Sequence, residues 1–458
     1  MSLNRFLIRS AITGALGGLL FGFDTAVIAG TTHALTGLYH LTPLQLGLTV
    51  SIALWGTVIG AIFAGDIGQR LGSRGTLRVL AFLYVVSALG CALAWSWPAF
   101  LAARFIGGLA IGGSSVLGPV YISELAPAEY RGRLVGLFQI NIVVGILLAY
   151  FSNLLIASLQ LGAHEWRWEF GVSALPAILF LVMLWGIPHS PRWLATMGRT
   201  AEARETLALI GTAAPEAELE SILESLREEH ATRREPLFKR QYRKPILLAF
   251  AIAAFNQLSG INAVLYYLND IFASAGFSKV SGGLQTVIVG TVNLVATLIA
   301  MTLIDKIGRK TLLLIGCVGM AIGLSGIAAV FFTGRGRGAL IYLMTGYTAS
   351  FALSSGSVIW VYISEIFPNA VRAKGQAFGS SILWVMNGII SQVFPLLAAR
   401  SESAPFAIFA LLMAAQFFVT LWFFPETKGL SLEQLQGVMG ASEADATGAG
   451  ANPTRTSN

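Results

Sequence analysis

Charge is scarce in this sequence. Lys, Arg, Asp and Glu make up 12% of its 458 residues, about half the usual share in a soluble domain. With 55% hydrophobic residues and a mean hydropathy of +0.71, this excludes an ordinary soluble globular protein and reads as a membrane protein. Cysteine is nearly absent. Cys91 and Cys317 fall in separate apolar runs, which excludes a disulfide framework and leaves them as small buried hydrophobes. The five histidines are scattered and form no His-Glu metal motif. No Ser-His-Asp order or phosphate-cradling loop occurs, and "TGRGRG" at 333–338 matches no nucleotide fingerprint. Neither an enzyme nor a metal or cofactor is expected. A cleavable signal peptide is also missing, because the first apolar run is too long and lacks a small-residue cleavage site.

Long apolar sequence is what the chain has in abundance. Runs of about 20 residues, each able to cross a hydrocarbon core of about 30 Å as a helix, recur from end to end. They lie near 6–30, 44–66, 76–95, 98–121, 133–157, 168–188, 245–273, 282–304, 311–332, 339–364, 375–399 and 404–424, predicting an all-α protein of twelve membrane-spanning helices. The net charge of +7 marks no nucleic-acid partner, since the basic residues form no stripe interleaved with aromatics. They follow topology instead. Of the 30 Lys and Arg, only Arg167, Lys279, Arg335, Arg337 and Arg400 fall in odd-to-even loops, and Arg104 lies within a run. The positive-inside rule then puts both termini in the cytoplasm of a multi-pass cell (inner) membrane protein. Trp95, Trp97, Trp166 and Trp168, beside the opposite loops, read as interfacial anchors.

The chain also repeats itself. "YISELAPAEYRGR" at 121–133 returns as "YISEIFPNAVRAK" at 362–374, an offset of 241 residues. "GDIGQRLGSR" at 65–74 resembles "LIDKIGRK" at 303–310, and "PHSPRWL" from Pro188 stands where "PETKGL" from Pro425 stands, each directly after the sixth helix of its half. Two six-helix units related by an axis along the membrane normal, with a substrate site between them, describe one large transporter architecture. The expected division is a first bundle at 1–188, a polar cytoplasmic linker at 189–244, a second bundle at 245–430 and a disordered tail at 431–458. The linker helix in "EAELESILESLREEH" reads as a solvated connector, with membrane-surface and partner-binding roles as alternatives.

In their order and spacing, "SELAP", "RGR", "SEIFPNAVRAK", "PHSPRWL", "QLSGIN", "DKIGRK" and "PETKG" resemble the sugar porter family of the major facilitator superfamily from about residue 10 to 432. The resemblance implies alternating access, a helical intracellular segment, and a monosaccharide or polyol substrate. The chain departs from the family pattern at Gln69, Ser73 and His189, where relatives usually carry Asp, Arg and Glu. Asp66, about one helical turn before Gln69, is a candidate substitute. Apart from the family, Glu124 with Arg131, Glu365 with Arg372 and Asp305 with Arg309 sit at cytoplasmic helix ends. Such pairs can latch the inner mouth through charge-assisted hydrogen bonds; simple helix capping by exposed charges is the plainer alternative.

A monosaccharide has hydroxyls in every direction and apolar C–H faces, so its site needs neutral amides and aromatic surfaces. "FNQLSGINAVLYYLND" at 255–270 supplies Asn256, Gln257, Asn262, Tyr266, Tyr267 and Asn269, with a kink expected at Ser259-Gly260. Asn262, Tyr266 and Asn269 share one helical face, as do Gln139, Tyr150 and Asn153. Polar groups inside a span face the bundle interior or a wet cavity; holding helices together is the alternative. The resemblance implies a sugar contact for Gln139 and puts Asn293, Trp360, Trp384 and Asn387 in or beside the site. Relatives commonly have Gln-Gln where this chain has Asn256-Gln257, and can have an amide at Leu383.

"GGLLFGFDTAVIAG" at 17–30 holds one acid, Asp24, in the middle of the first apolar run. A mid-membrane charge costs about 2.5–3.5 kcal/mol on insertion scales, and Arg104 is its candidate partner. Separating such a pair makes the acid easier to protonate, which is what a proton carrier needs. The repeat sets Asp24 against Asn262. In the family, proton-coupled members resemble this chain in having Asp here, whereas facilitators commonly have a neutral residue; a further helix-6 acid of some symporters falls on Ser173. The leading reading is a monomeric proton–monosaccharide symporter. A passive sugar or polyol facilitator is the first alternative, and a non-transporting sugar sensor a remote one.

Overall fold

A backbone in lipid has no hydrogen-bond partner except itself, which leaves helices as the form of an apolar run. The computed structural model describes residues 4–428 apart from 128, 213, 233–234 and 369–370, and the described residues form helices with no strand. The tail at 431–458 lies outside the described residues. The first half contains α1 (Arg5–Tyr39), α2 (Pro43–Ala92), α3 (Trp97–Leu125), α4 (Arg131–Ser158), α5 (Glu165–Val172) and α6 (Ala174–Met183). After it come α7 (Pro191–Thr196), α8 (Thr200–Leu209) and α9 (Pro215–Thr232). The second half contains α10 (Arg243–Leu258), α11 (Ile261–Tyr266), α12 (Leu268–Ser274), α13 (Lys279–Ile307), α14 (Arg309–Thr333), α15 (Leu340–Leu353), α16 (Ser355–Ile366), α17 (Arg372–Arg400) and α18 (Ala404–Phe423).

Among the described residues, eleven helical stretches are long and apolar enough to cross a membrane. One of them, α2, has 50 residues, about 75 Å of helix and far more than one crossing needs. Gly72 (φ 74°, ψ 155°) interrupts it, so α2 contains two of the twelve apolar runs. Local chemistry starts the helices: the Asn4 side chain accepts from Leu7 N at 2.7 Å, and Thr42 with Gln45 closes a capping box ahead of α2.

The spans differ from simple rods in three places, the sixth run being divided at Ser173 between α5 and α6. The seventh run, over 245–273, breaks at Gly260 (φ 80°), where a kink was expected, and again at Tyr267, where none was, giving three pieces. The tenth breaks at Ser354 (φ −123°, ψ −96°) between α15 and α16. Trp166 is no interfacial anchor: it is 2% exposed and packs edge-on against Phe100, whereas Trp95 is exposed as expected.

The helix α9 is docked rather than simply solvated, because Leu219 and Ile222 pack on a core containing Leu207 and Ile210. The segment touches both halves: Asn4 Nδ2 donates to Leu209 O at 2.7 Å, and Lys374 Nζ to Glu235 O at 2.6 Å. A second core runs without a gap from Phe23 and Val27 through Tyr150 into Ile261, Leu265 and Phe394. The halves are therefore packed together at the end where the odd-to-even loops lie.

Candidate substrate cavity and its buried ion pair

The breaks in the second half turn backbone and amides toward a cavity between the halves. All nine residues expected to contact substrate line it: Gln139, Asn256, Gln257, Asn262, Tyr266, Asn293, Trp360, Trp384 and Asn387. No charged side chain is among its described lining residues. The amides form a directed chain, with Asn262 Nδ2 donating to Gln257 Oε1 (2.9 Å), Gln257 Nε2 to Asn256 Oδ1 (2.9 Å) and Asn256 Nδ2 to Ser355 O (3.0 Å). Asn387 Nδ2 donates to the Tyr266 hydroxyl at 3.2 Å. This fixes which lone pairs and N–H groups remain for a ligand. Phe21 packs against Trp384 at 5.3 Å between ring centroids, giving the cavity an apolar aromatic wall; sequence reasoning missed Phe21 because one Phe in an apolar run carries no signal. Asn269 and Asn153 fall elsewhere. The break at Tyr267 takes Asn269 off the Asn262 face, and it accepts from Thr286 Oγ1 at 2.6 Å; Asn153 lies beyond Tyr150 and donates to Val27 O at 3.0 Å.

Asp24 and Arg104 meet as expected. Arg104 Nη1 lies 2.9 Å from Asp24 Oδ2 and 3.2 Å from the Asp24 carbonyl oxygen, and both residues are buried, at 2% and 7% exposure. The guanidinium sits 5.5 Å from the Phe170 ring centroid. Thr25 and Ala26, the next residues of α1, line the cavity, whereas Asp24 does not. The Asp24–Asn262 equivalence of the repeat thus fails in geometry: continuous α1 turns its acid toward α3, and broken α11 turns its amide inward. Breaking a buried pair on one side leaves an uncompensated charge, at a cost of about 3–5 kcal/mol.

At the other end, Arg309 Nη2 bridges Asp305 (3.0 Å) and Glu365 (2.9 Å). The remaining expected pairs do not form. Arg131 is exposed while Glu124 accepts from Ser73 Oγ at 3.4 Å, with Ser190 and Arg192 nearby. Arg372 Nε donates to Phe367 O at 3.3 Å, closing its own turn. Asp66 is exposed and Gln69 contributes only its carbonyl, to Trp193 Nε1 at 3.0 Å. The His189 ring stacks on Trp193 at 4.8 Å. Burial and the charges of Arg74, Arg199 and Arg78 push its imidazole pKa down to about 4. Glu426, missed in the sequence, accepts from the backbone N–H groups of Arg309 (2.8 Å) and Lys310 (3.1 Å) at the start of α14.

Comparison with known proteins decides the family. Residues 10–438 match the family described as "Sugar (and other) transporter". The chain belongs to that family. It is a multi-pass membrane transporter, not an enzyme. The arabinose-proton symporter of Bacillus subtilis (strain 168) is 39% identical over 438 residues, 94% of each chain. The D-xylose-proton symporter of Escherichia coli (strain K12) is 35% identical over 477 residues, covering 95% of this chain and 96% of that one. Against solved structures, the inward open form of the E. coli xylose transporter XylE gives a TM-score of 0.85 at 34% identity, covering 94% of this chain and all of that one. The XylE form bound to 6-bromo-6-deoxy-D-glucose gives 0.76 at 35% identity, with 95% and 99% covered. The overlap with the inward open form agrees with halves packed together at the outer end, and Trp360, which lines the cavity, is 42% exposed.

Proposed function

We propose that this protein is a secondary active transporter that imports a monosaccharide together with a proton by alternating access. The observation carrying this reading is the buried Asp24–Arg104 pair, one residue along α1 from the wall of an uncharged amide and aromatic cavity. The cavity's amides and tyrosine suit sugar hydroxyls, and its tryptophans suit the C–H faces. A proton reaching Asp24 from outside releases Arg104 and permits the loaded carrier to rock; deprotonation inside restores the pair and resets it. Two six-helix bundles at 1–188 and 245–430 move about the linker at 189–244, in a monomer in the cell membrane with both termini cytoplasmic. The distribution of Lys and Arg supports that orientation, and the symporter names of two relatives support the coupling.

The test is the external pH of de-energised proteoliposomes on adding D-xylose, L-arabinose or D-glucose, with wild type and Asp24→Asn in parallel. Sugar-driven alkalinisation in wild type is expected, with Asp24→Asn losing that signal and uphill uptake while keeping exchange. A transported sugar that moves no protons, together with an active Asp24→Asn variant, would make this a facilitator with a structural ion pair.

A further inference from the structure

A second buried carboxylate lies apart from the pair just described. Glu169 on α5 is 1% exposed, and its Oε2 has no hydrogen-bond partner among the described residues. Asn153 Oδ1, on α4, is likewise buried without a partner. Both side chains crowd Gly30 of α1, where a Cβ would run into Glu169 Oε2 and the Asn153 amide together. Gly30 lies about 9 Å along α1 from Asp24, toward the outer end. Two acceptors thus share one neighbourhood and lack a donor.

The surroundings are a seam between the halves. Tyr150 and Asn153 of α4 face Asn269 of α12 and Lys279 and Thr286 of α13, around a cavity of ≈10 Å³, room for a single water. The Tyr150 hydroxyl donates across the seam to Leu265 O at 2.9 Å. The charged groups acting on Glu169 are Lys279 and Glu165, and Lys279 Nζ is engaged 2.6 Å from Glu165 Oε1. Other titratable groups on this end of the packed helices are Asp24, His33 and Tyr39 on α1, Cys91 on α2, Arg104 on α3, Tyr150 on α4, Arg167 on α5, and Tyr267 and Asp270 at α12. A bare carboxylate with an orphan oxygen is costly in such a place, whereas a protonated one supplies the O–H that two acceptors lack.

We propose that Glu169 is a second proton-binding site, loaded from outer water and buried with its proton when the outer seam closes. Hydronium gives its proton to the carboxylate and leaves as water; when α13 swings away with Lys279, the carboxylic acid returns the proton to outer water. Outer closure then takes up a proton that Asp24 does not account for. The inference rests on the alternating-access part of the proposed function and not on Asp24 as carrier of the transported proton.

The experiment is sugar-free and gradient-free. Ala157→Cys puts a thiol in the wall of the seam cavity, while native Cys91 and Cys317 are buried. Labelling of the full-length protein by a membrane-impermeant maleimide is followed from about pH 5.5 to 8.5 with Glu169, Glu169→Gln and Glu169→Met, spanning the pH range of a buried carboxyl. Relative to either variant, the Glu169 protein is expected to label faster as pH rises, by up to about tenfold per unit for one linked proton. A rate ratio that stays flat with pH against both variants overturns the proposal, whatever Asp24 does. Glu169→Met keeps the comparison available if Glu169→Gln does not fold.

Discussion

The two halves carry the same inner turn under different charges. Gly72 (φ 74°) and Gly308 (φ 103°) bend the chain alike, and only glycine takes that conformation without strain. Around Gly308 stand Asp305, Arg309, Glu365, Thr427 and Glu426, all joined: Thr427 Oγ1 donates to Glu365 Oε2 at 2.6 Å, and Glu426 holds the start of α14. Around Gly72 the corresponding places hold Gln69, Ser73, Glu124, Ser190 and His189, and Glu124 meets hydroxyls there, Ser73 Oγ at 3.4 Å and Ser190, with Arg192 nearby. The turn geometry survives the loss of its charges. Backbone shape and charge network are therefore separable layers, and the second half carries most of the network.

The strongest way to break this contrast is Arg309→Ser, which gives the second half the first half's residue. It strips Asp305 and Glu365 of their shared partner, and because Glu365 is only partly buried the expected loss is about 2–3 kcal/mol rather than the full cost of a buried pair. A lower melting temperature in detergent and reduced uptake would show it; unchanged values would mean the network is decorative. The reverse graft, Ser73→Arg with His189→Glu, is expected to stabilise the first half by about 1 kcal/mol, through a charged contact to Glu124 and an acid at the Gly72 turn. A melt no higher than wild type would show that the first half cannot use those charges.

The smallest effect is at His189. Its native pKa is depressed to about 4, below an unfolded value of about 6.5, so the unfolded chain binds more protons between those values. Stability is then expected to fall as pH drops through that window and to be level above it. His189→Gln should flatten this acid limb by a fraction, since the ring is half-exposed, and identical acid melts for the two proteins would refute the assignment.

The cavity was legible in two ways: Asn256, Gln257, Asn262 and Tyr266 stand out as polar groups in an apolar run, and the family resemblance pointed to Gln139, Asn293, Trp360, Trp384 and Asn387, which line the same space. The Asp24–Arg104 contact was legible in the first way. The breaks at Tyr267 and Ser354 were not, since neither residue is a helix breaker and packing imposes the bend; this is why Asn269 sits away from the face it would share in a straight helix. Glu169 was passed over because attention to helix 6 rested on Ser173, one turn further along. Nor could sequence tell that Glu124 meets Ser73 instead of Arg131, because residues seven apart at a helix end need not point the same way.

Where α1 crosses α4 there is almost nothing between the backbones: side chains at Gly18 or Gly22 would collide with the carbonyls of Phe138 and Ile142, and one at Gly145 with that of Leu19. Two rods in such contact have no compliant layer in which to slip. Together they behave as a stiff plate bearing Asp24 on one side and both Thr25 and Gln139 on the other. In the proposed cycle, a change of force at the acid is delivered to the cavity wall as displacement, with little lost to local creep.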